Sequence, residues 1–132
     1  MTPQEIFDKA LSGVIKQGEP ALKSDRSCDY YTESGKMCAV GLLLGPELAQ
    51  QWSEARVGEV YDVTDTDIYD VAVPDWVKAN MVLLMGIQSA HDVFLNADQE
   101  LDLEVWKDVF LRKMRSLAFN HKLDYKKELE HV

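Results

Sequence analysis

Apolar residues recur at helical spacing in the first part of the chain, and the residues around them carry helix boundary signals. Thr2-Pro3-Gln4-Glu5 has the composition of a capping box, with proline at the first helical position. Gly18-Glu19-Pro20 is typical of a helix end. The pattern therefore predicts an amphipathic helix that ends at Gly18. Its apolar face consists of Ile6, Ala10, Leu11, Val14 and Ile15.

Residues 28–38 have the composition of a short β-hairpin. Segments 28–32 and 36–38 flank Glu33-Ser34-Gly35, in which the glycine suits a turn position with positive φ. In such a hairpin Cys28 and Cys38 lie near the open end, and Cys38 stands at the start of the apolar run 39–44.

Three more helical segments are predicted. Pro46 can open a short helix that extends through Trp52. Asp75 is the expected cap of a helix that runs to about Leu95, with Leu84, Ile87, His91 and Phe94 on one face, and Asp102 is the expected cap of a last long helix. On that helix Val105, Val109 and Phe110 are expected to face the core, followed by Met114 and Leu117.

These elements predict a mainly α (α+β) fold with four to five helices and one short β-hairpin near residues 28–38. Length favours a single domain over residues 1–132. The end of the chain, 124–132, is mostly polar and is the segment expected to fray.

Composition and charge narrow the function classes. With 46% hydrophobic residues the chain can bury a core, and a net charge of −9 disfavours direct binding of nucleic acid through a basic surface. Neither a secretory signal nor a membrane span is evident, so a cytoplasmic location in the host cell and no membrane partner are expected. In a reducing compartment the two cysteines are expected as thiols or ligands.

Two kinds of chemistry could use the cysteines, although no convincing catalytic set is found. Cys38 at a helix start could be a nucleophile with His91 as its base, in a hydrolase or transferase. Alternatively, Cys28, Cys38 and His91 could hold zinc or a small molecule, although no fourth ligand is evident. The competing interpretation is packing, because Cys38 is of a type that is often buried and His91 shares an apolar face. Asp92, about 100° around the helix from His91, is not expected to orient it.

The acid residues concentrate in residues 57–75, called here the acidic strip, which contains no lysine or arginine. It is expected to be a solvated loop or edge segment with at most one helical turn. Calcium is disfavoured because the alternating carboxylates of residues 62–70 lack the glycine and the final glutamate of an EF-hand loop. A surface of this kind can meet a basic surface on a partner. The candidate partner-binding residues are Glu59, Tyr61, Asp62, Asp65, Asp67, Tyr69 and Asp70.

Three short motifs carry a resemblance to a known group of proteins. A Cys-x-Tyr sequence at Cys28 is followed by Gly35-x-x-Cys38-Ala-Val-Gly41 and, much later, by Gln88-x-x-His91-Asp92. This arrangement resembles a group of small bacteriophage- and prophage-encoded proteins, in the order of elements from residue 5 to 118. The resemblance implies a phage origin and an accessory role, and it supplies no reaction.

The leading hypothesis is therefore a binding protein and not an enzyme. It would bind a host or defence protein, including one that itself binds nucleic acid, and inhibit or redirect it through the acidic surface. The alternatives are sequestration of a metal or small molecule and a cysteine-dependent enzyme. Because basic residues gather after residue 111, opposite in sign to the acidic strip, self-association into a homo-oligomer is a further candidate.

Overall fold

The computed structural model describes residues 1–21, 29–64, 69–93 and 102–131. Within these ranges the chain forms six α-helices, two short 3₁₀ helices and no β-strand. The mainly α prediction is confirmed, and the predicted hairpin is wrong. The elements are α1 (Pro3–Gln17), α2 (Ala39–Leu44), α3 (Pro46–Glu54), η1 (Val60–Thr64), α4 (Asp75–Ala79), α5 (Met81–His91), α6 (Leu103–Asn120) and η2 (Lys127–His131).

The first helix begins and ends where its boundary residues predict. The Thr2 hydroxyl accepts a hydrogen bond from the Glu5 backbone N–H at 3.2 Å, and the Glu5 carboxylate accepts one from the Thr2 N–H at 3.0 Å. This reciprocal pair satisfies two of the backbone donors that a helix leaves unpaired at its start. Gly18 ends the helix in the left-handed conformation, at φ 80°. The buried face contains Ile6, Phe7, Ala10, Leu11, Val14 and Ile15.

Residues 29–38 reverse direction without forming strands. Gly35 takes the expected positive φ of 83°, and the Thr32 N–H donates to the Lys36 carbonyl at 2.8 Å. The reciprocal bond of a ladder pair is missing, because the Lys36 N–H donates to the Thr32 hydroxyl at 3.0 Å and not to the Thr32 carbonyl. Gln17 of α1 pairs with the backbone of Met37. Its side chain accepts from the Met37 N–H at 2.9 Å and donates to the Met37 carbonyl at 2.8 Å. Gln17 therefore joins the 29–38 segment to α1.

The helix predicted from Asp75 to about Leu95 is two helices, α4 and α5, which meet at Asn80. The Asn80 side chain donates to the Trp76 carbonyl at 2.8 Å, while the Asn80 backbone N–H bonds to the Val77 carbonyl at 3.3 Å. In a continuous helix the Trp76 carbonyl would accept that backbone N–H, so the side chain interrupts the helical pattern. Asp75 is the first residue of α4 and makes no capping hydrogen bond. The helix ends at His91, and Phe94 lies outside the described residues.

Helix α5 occupies the centre of the fold, because it contacts α1, α2, α4, α6 and η1. It packs closely against α6 at Gly86, where an added methyl group would lie 2.5 Å from a Leu117 methyl carbon. Helix α6 is capped by Asp102 as predicted, but Val105 is 48% exposed and does not face the core. The buried face of α6 contains Trp106, Phe110, Met114 and Ala118.

The chain from residue 124 to 131 packs against the first helix. The Tyr125 ring meets the Phe7 ring edge-on at 6.2 Å, and the Lys126 ammonium lies 2.6 Å from the Asp8 carboxylate. Glu130, only 5% exposed, accepts hydrogen bonds from Arg115 at 2.6 Å and Tyr125 at 2.5 Å. These contacts attach η2 to both α1 and α6.

We expect Glu130→Gln to destabilise the protein by about 1–2 kcal/mol at pH 7, because the amide removes the negative charge from an acceptor of two hydrogen bonds, and charge-assisted hydrogen bonds are stronger than neutral ones. The hydroxyl of Tyr125 and then the guanidinium of Arg115 lower the pKa of Glu130, against the opposing effect of burial. A lowered pKa in the folded state means that this stabilisation is present above the unfolded-state pKa and is lost as pH falls through the folded-state pKa. Urea unfolding of both proteins at pH 7 and pH 3 tests this. A difference of the same size at both pH values would contradict the assigned charge.

Candidate functional site

His91 lies at the end of α5, is fully buried, and has both ring nitrogens engaged. Its Nε2 accepts a hydrogen bond from the Ala21 backbone N–H at 3.3 Å, and its Nδ1 lies 2.8 Å from Asp92 Oδ1. Since Nε2 accepts and a carboxylate can only accept, the proton belongs on Nδ1. The His91 carbonyl also accepts from the Trp106 indole N–H at 2.9 Å. His91 therefore joins the loop after α1 to α5 and α6.

The prediction that Asp92 cannot orient His91 is wrong. Asp92 is the residue that ends α5, with φ −82° and ψ 7°, and from this position its carboxylate reaches the ring of the preceding residue. The argument from 100° spacing holds only within a regular helix. Gln88, one turn earlier, donates to the same carboxylate oxygen at 2.9 Å and accepts from the Val40 N–H at 3.3 Å.

Cys38 caps α2 and is completely buried. Its sulfur accepts a hydrogen bond from the Gly41 N–H at 3.4 Å, so the expected position at a helix start is confirmed. A nucleophile needs access to substrate and a base with an available lone pair. Cys38 has no exposed surface, and the lone pair of His91 Nε2 is already directed at Ala21. The geometry favours packing and capping for this pair.

The three candidate zinc ligands are not brought together in the described part of the chain. Cys28 lies outside the described residues, and the residues that are described contain no group of three or more His, Cys, Asp or Glu side chains placed to hold a metal. A neutral histidine binds a metal through its unprotonated nitrogen. In His91 that nitrogen accepts from Ala21, so binding zinc would require breaking this contact.

The acidic strip is loop with one turn of 3₁₀ helix, η1, over the part of it that is described. Glu59, Tyr61 and Asp70 are exposed, Tyr61 by 57%. Asp62 is half-buried and accepts from the Glu59 N–H at 2.9 Å, which stabilises the turn. Tyr69 packs against the core. Asp65 and Asp67 lie outside the described residues.

A cleft of about 320 Å³ separates η1 from α5. One side belongs to the acidic strip and the other to the motif that contains His91, so the structure brings together two features that are far apart in sequence. Sequence reasoning missed this cleft, and the only signal for it was the Gln88-x-x-His91-Asp92 motif. The lining residues are Glu59, Val60, Met85, Gln88, Ser89 and Asp92.

Charge pairing differs between the two ends of the chain. Three of the late basic residues form ion pairs, each with a carboxylate of the same molecule: Arg112 with Asp108, Arg115 with Glu130, and Lys126 with Asp8. By contrast, the described carboxylates of the acidic strip form no ion pair with any described residue. The basic end is thus partly neutralised inside the molecule, whereas the carboxylates of the strip that the structure describes are not.

None of the helices in the described ranges is both long and apolar enough to cross a membrane. In comparisons with known proteins, no protein-family model, no curated protein and no solved structure matched the chain.

Proposed function

We propose that this protein is a binding module that recognises a basic surface on another protein through its acidic strip. In the phage setting that the motif resemblance implies, the partner is a host or defence protein, and binding inhibits or redirects it. A partner that itself binds nucleic acid fits best, because carboxylates can occupy the positions where phosphates would otherwise bind.

The observation that carries the proposal is that the described carboxylates of the strip form no ion pair with another described residue. Glu59 and Asp70 are exposed and have no ion-pair partner in the described part of the chain. Tyr61, two residues after Glu59, exposes more than half of its surface. Exposed carboxylates raise the rate of encounter with a basic surface, and tyrosine is a residue type enriched in protein interfaces. The engaged ring of His91 and the buried thiol of Cys38 give the enzyme alternative less support.

Charge reversal tests the proposal. We expect Glu59→Lys combined with Asp70→Lys to reduce capture of the partner from bacterial lysate by about tenfold or more, because two attractive charges become repulsive. Capture by the unmodified protein should also weaken as salt rises from about 50 to 500 mM, since salt screens exposed charges. Affinity capture followed by quantitative mass spectrometry measures both effects for each retained protein.

The matched control is Glu47→Lys combined with Glu54→Lys, which makes the same change of charge at exposed positions of α3. If the acidic strip is the specific binding surface, this control variant should retain the partner. Equal loss in both variants would show that total charge matters and not the strip, and no loss in the first variant would refute the proposal. Light scattering measures the molar mass of the purified protein in the absence of lysate. A mass above that of one chain would show self-association, which is thereby distinguished from capture of a partner.

A further inference from the structure

The cleft between η1 and α5 combines negative charge with apolar surface. Its lining contains two carboxylates, Glu59 just before η1 and Asp92 just after α5, and no basic residue among those that are described. Val60 and Met85 supply apolar surface to the same lining, and Met85 is 42% exposed. A volume of about 320 Å³ is at the small end of the range for ligand pockets, so one side chain of a partner can fill it.

Asp92 is held in place before anything binds. Its Oδ1 receives two hydrogen bonds, from Gln88 at 2.9 Å and from His91 at 2.8 Å, whereas its Oδ2 receives none from the described residues. Gln88 is itself fixed to the backbone of Val40. The carboxylate therefore keeps one oxygen available at a site whose geometry is already set, which reduces the entropy lost on binding.

We infer that this cleft binds an arginine side chain of the partner protein, with the guanidinium between Glu59 and Asp92 and its aliphatic stem against Met85 and Val60. Arginine fits better than lysine because a planar guanidinium can donate to two carboxylates in different directions while its stem covers apolar surface. This inference rests on the proposed function and names the residue that would anchor the partner.

The test uses the full protein with methyl-labelled methionine and a capped pentapeptide, Gly-Gly-Arg-Gly-Gly, as the probe. In NMR titrations we expect millimolar binding that shifts the Met85 methyl signal and the amide signals of Gln88 and Ser89. The same peptide with glutamine in place of arginine should leave these signals unchanged, and the lysine peptide should bind at least threefold more weakly than the arginine peptide.

Two substitutions remove the negative charge of a cleft carboxylate while nearly preserving the shape of its side chain. Glu59→Gln and Asp92→Asn should each weaken the arginine peptide by about three- to tenfold. In the Asp92→Asn variant the new side-chain amide oxygen can still accept from Gln88 and His91, so the fold is retained. Glu47→Gln on α3 is the matched control, because it removes the same charge at an exposed position outside both the strip and the cleft lining, and it should change the affinity less than twofold.

The outcomes distinguish this inference from the proposed function. Three outcomes would overturn the arginine site, even where charge reversal still abolishes capture. They are NMR shifts scattered away from the cleft, equal binding of the glutamine peptide, and unchanged affinity in both cleft variants. Binding of free agmatine tenfold tighter than the peptide would also overturn it, because the cleft would then be a small-molecule site. The lysate experiment measures loss of capture on charge reversal, and its result does not depend on the peptide titration.

Discussion

Replacing His91 with alanine is expected to lower the free energy of unfolding by about 3–4 kcal/mol. The ring is completely buried and meets the Trp106 ring edge-on at 6.1 Å, so its removal leaves a cavity beside a large core side chain. The Ala21 N–H would also lose its acceptor, and an unsatisfied buried donor adds to the loss. Urea unfolding followed by tryptophan fluorescence measures the change, because Trp52 and Trp106 are both fully buried.

Asp92→Asn is the informative control for this prediction. Its side-chain oxygen can accept the same two hydrogen bonds without the negative charge, so we expect a loss below about 1 kcal/mol. A loss of less than about 1 kcal/mol for His91→Ala would mean that the ring does not join Ala21 to α5. If Asp92→Asn destabilised the protein as much as His91→Ala, the charge of Asp92 would have to stabilise a protonated ring, and the neutral tautomer assigned to His91 would be wrong.

Local signals in the sequence predicted the helices whose boundaries depend on nearby residues. The capping box at Thr2 and Glu5, the Gly18 end and the Asp102 cap all act within one turn of chain, and the structure confirms each of them. Contacts between residues that are distant in sequence could not be predicted in this way. Gln17 makes two hydrogen bonds to the backbone of Met37, 20 residues away, and no local pattern indicates them.

In the candidate site, too, local features follow from the sequence and long-range contacts do not. Burial of His91 followed from its apolar face, but its partner Ala21 is 70 residues away, and no pattern along the chain indicates that contact. The cleft is similar, because Glu59 and Asp92 lie on separate elements that only the packing of η1 against α5 brings together. The expectation for Asp92 fails for a local reason, because the spacing of a regular helix does not hold at the residue where α5 stops.

Gly41 lies in a position where only glycine fits, even though it is inside a helix. Replacing glycine by alanine within a helix usually stabilises a protein by about 1 kcal/mol. At Gly41, however, the added methyl carbon would lie 2.3 Å from the Tyr30 carbonyl oxygen and 3.2 Å from the Met37 Cβ. The first of these is a backbone atom that cannot rotate away, so α2 or the 29–38 segment has to move.

We therefore expect Gly41→Ala to destabilise the protein by about 2–3 kcal/mol, since steric overpacking outweighs the gain in helix propensity. Gly86→Ala is the matched comparison, because its added methyl group would meet the far end of the Leu117 side chain, which can change rotamer. That variant should change stability by less than about 1 kcal/mol. Urea unfolding of the two variants compares them directly. A Gly41→Ala protein as stable as the parent would show that the backbone of residues 29–38 yields easily, and that segment would then not hold the start of α2 and the Cys38 cap in place.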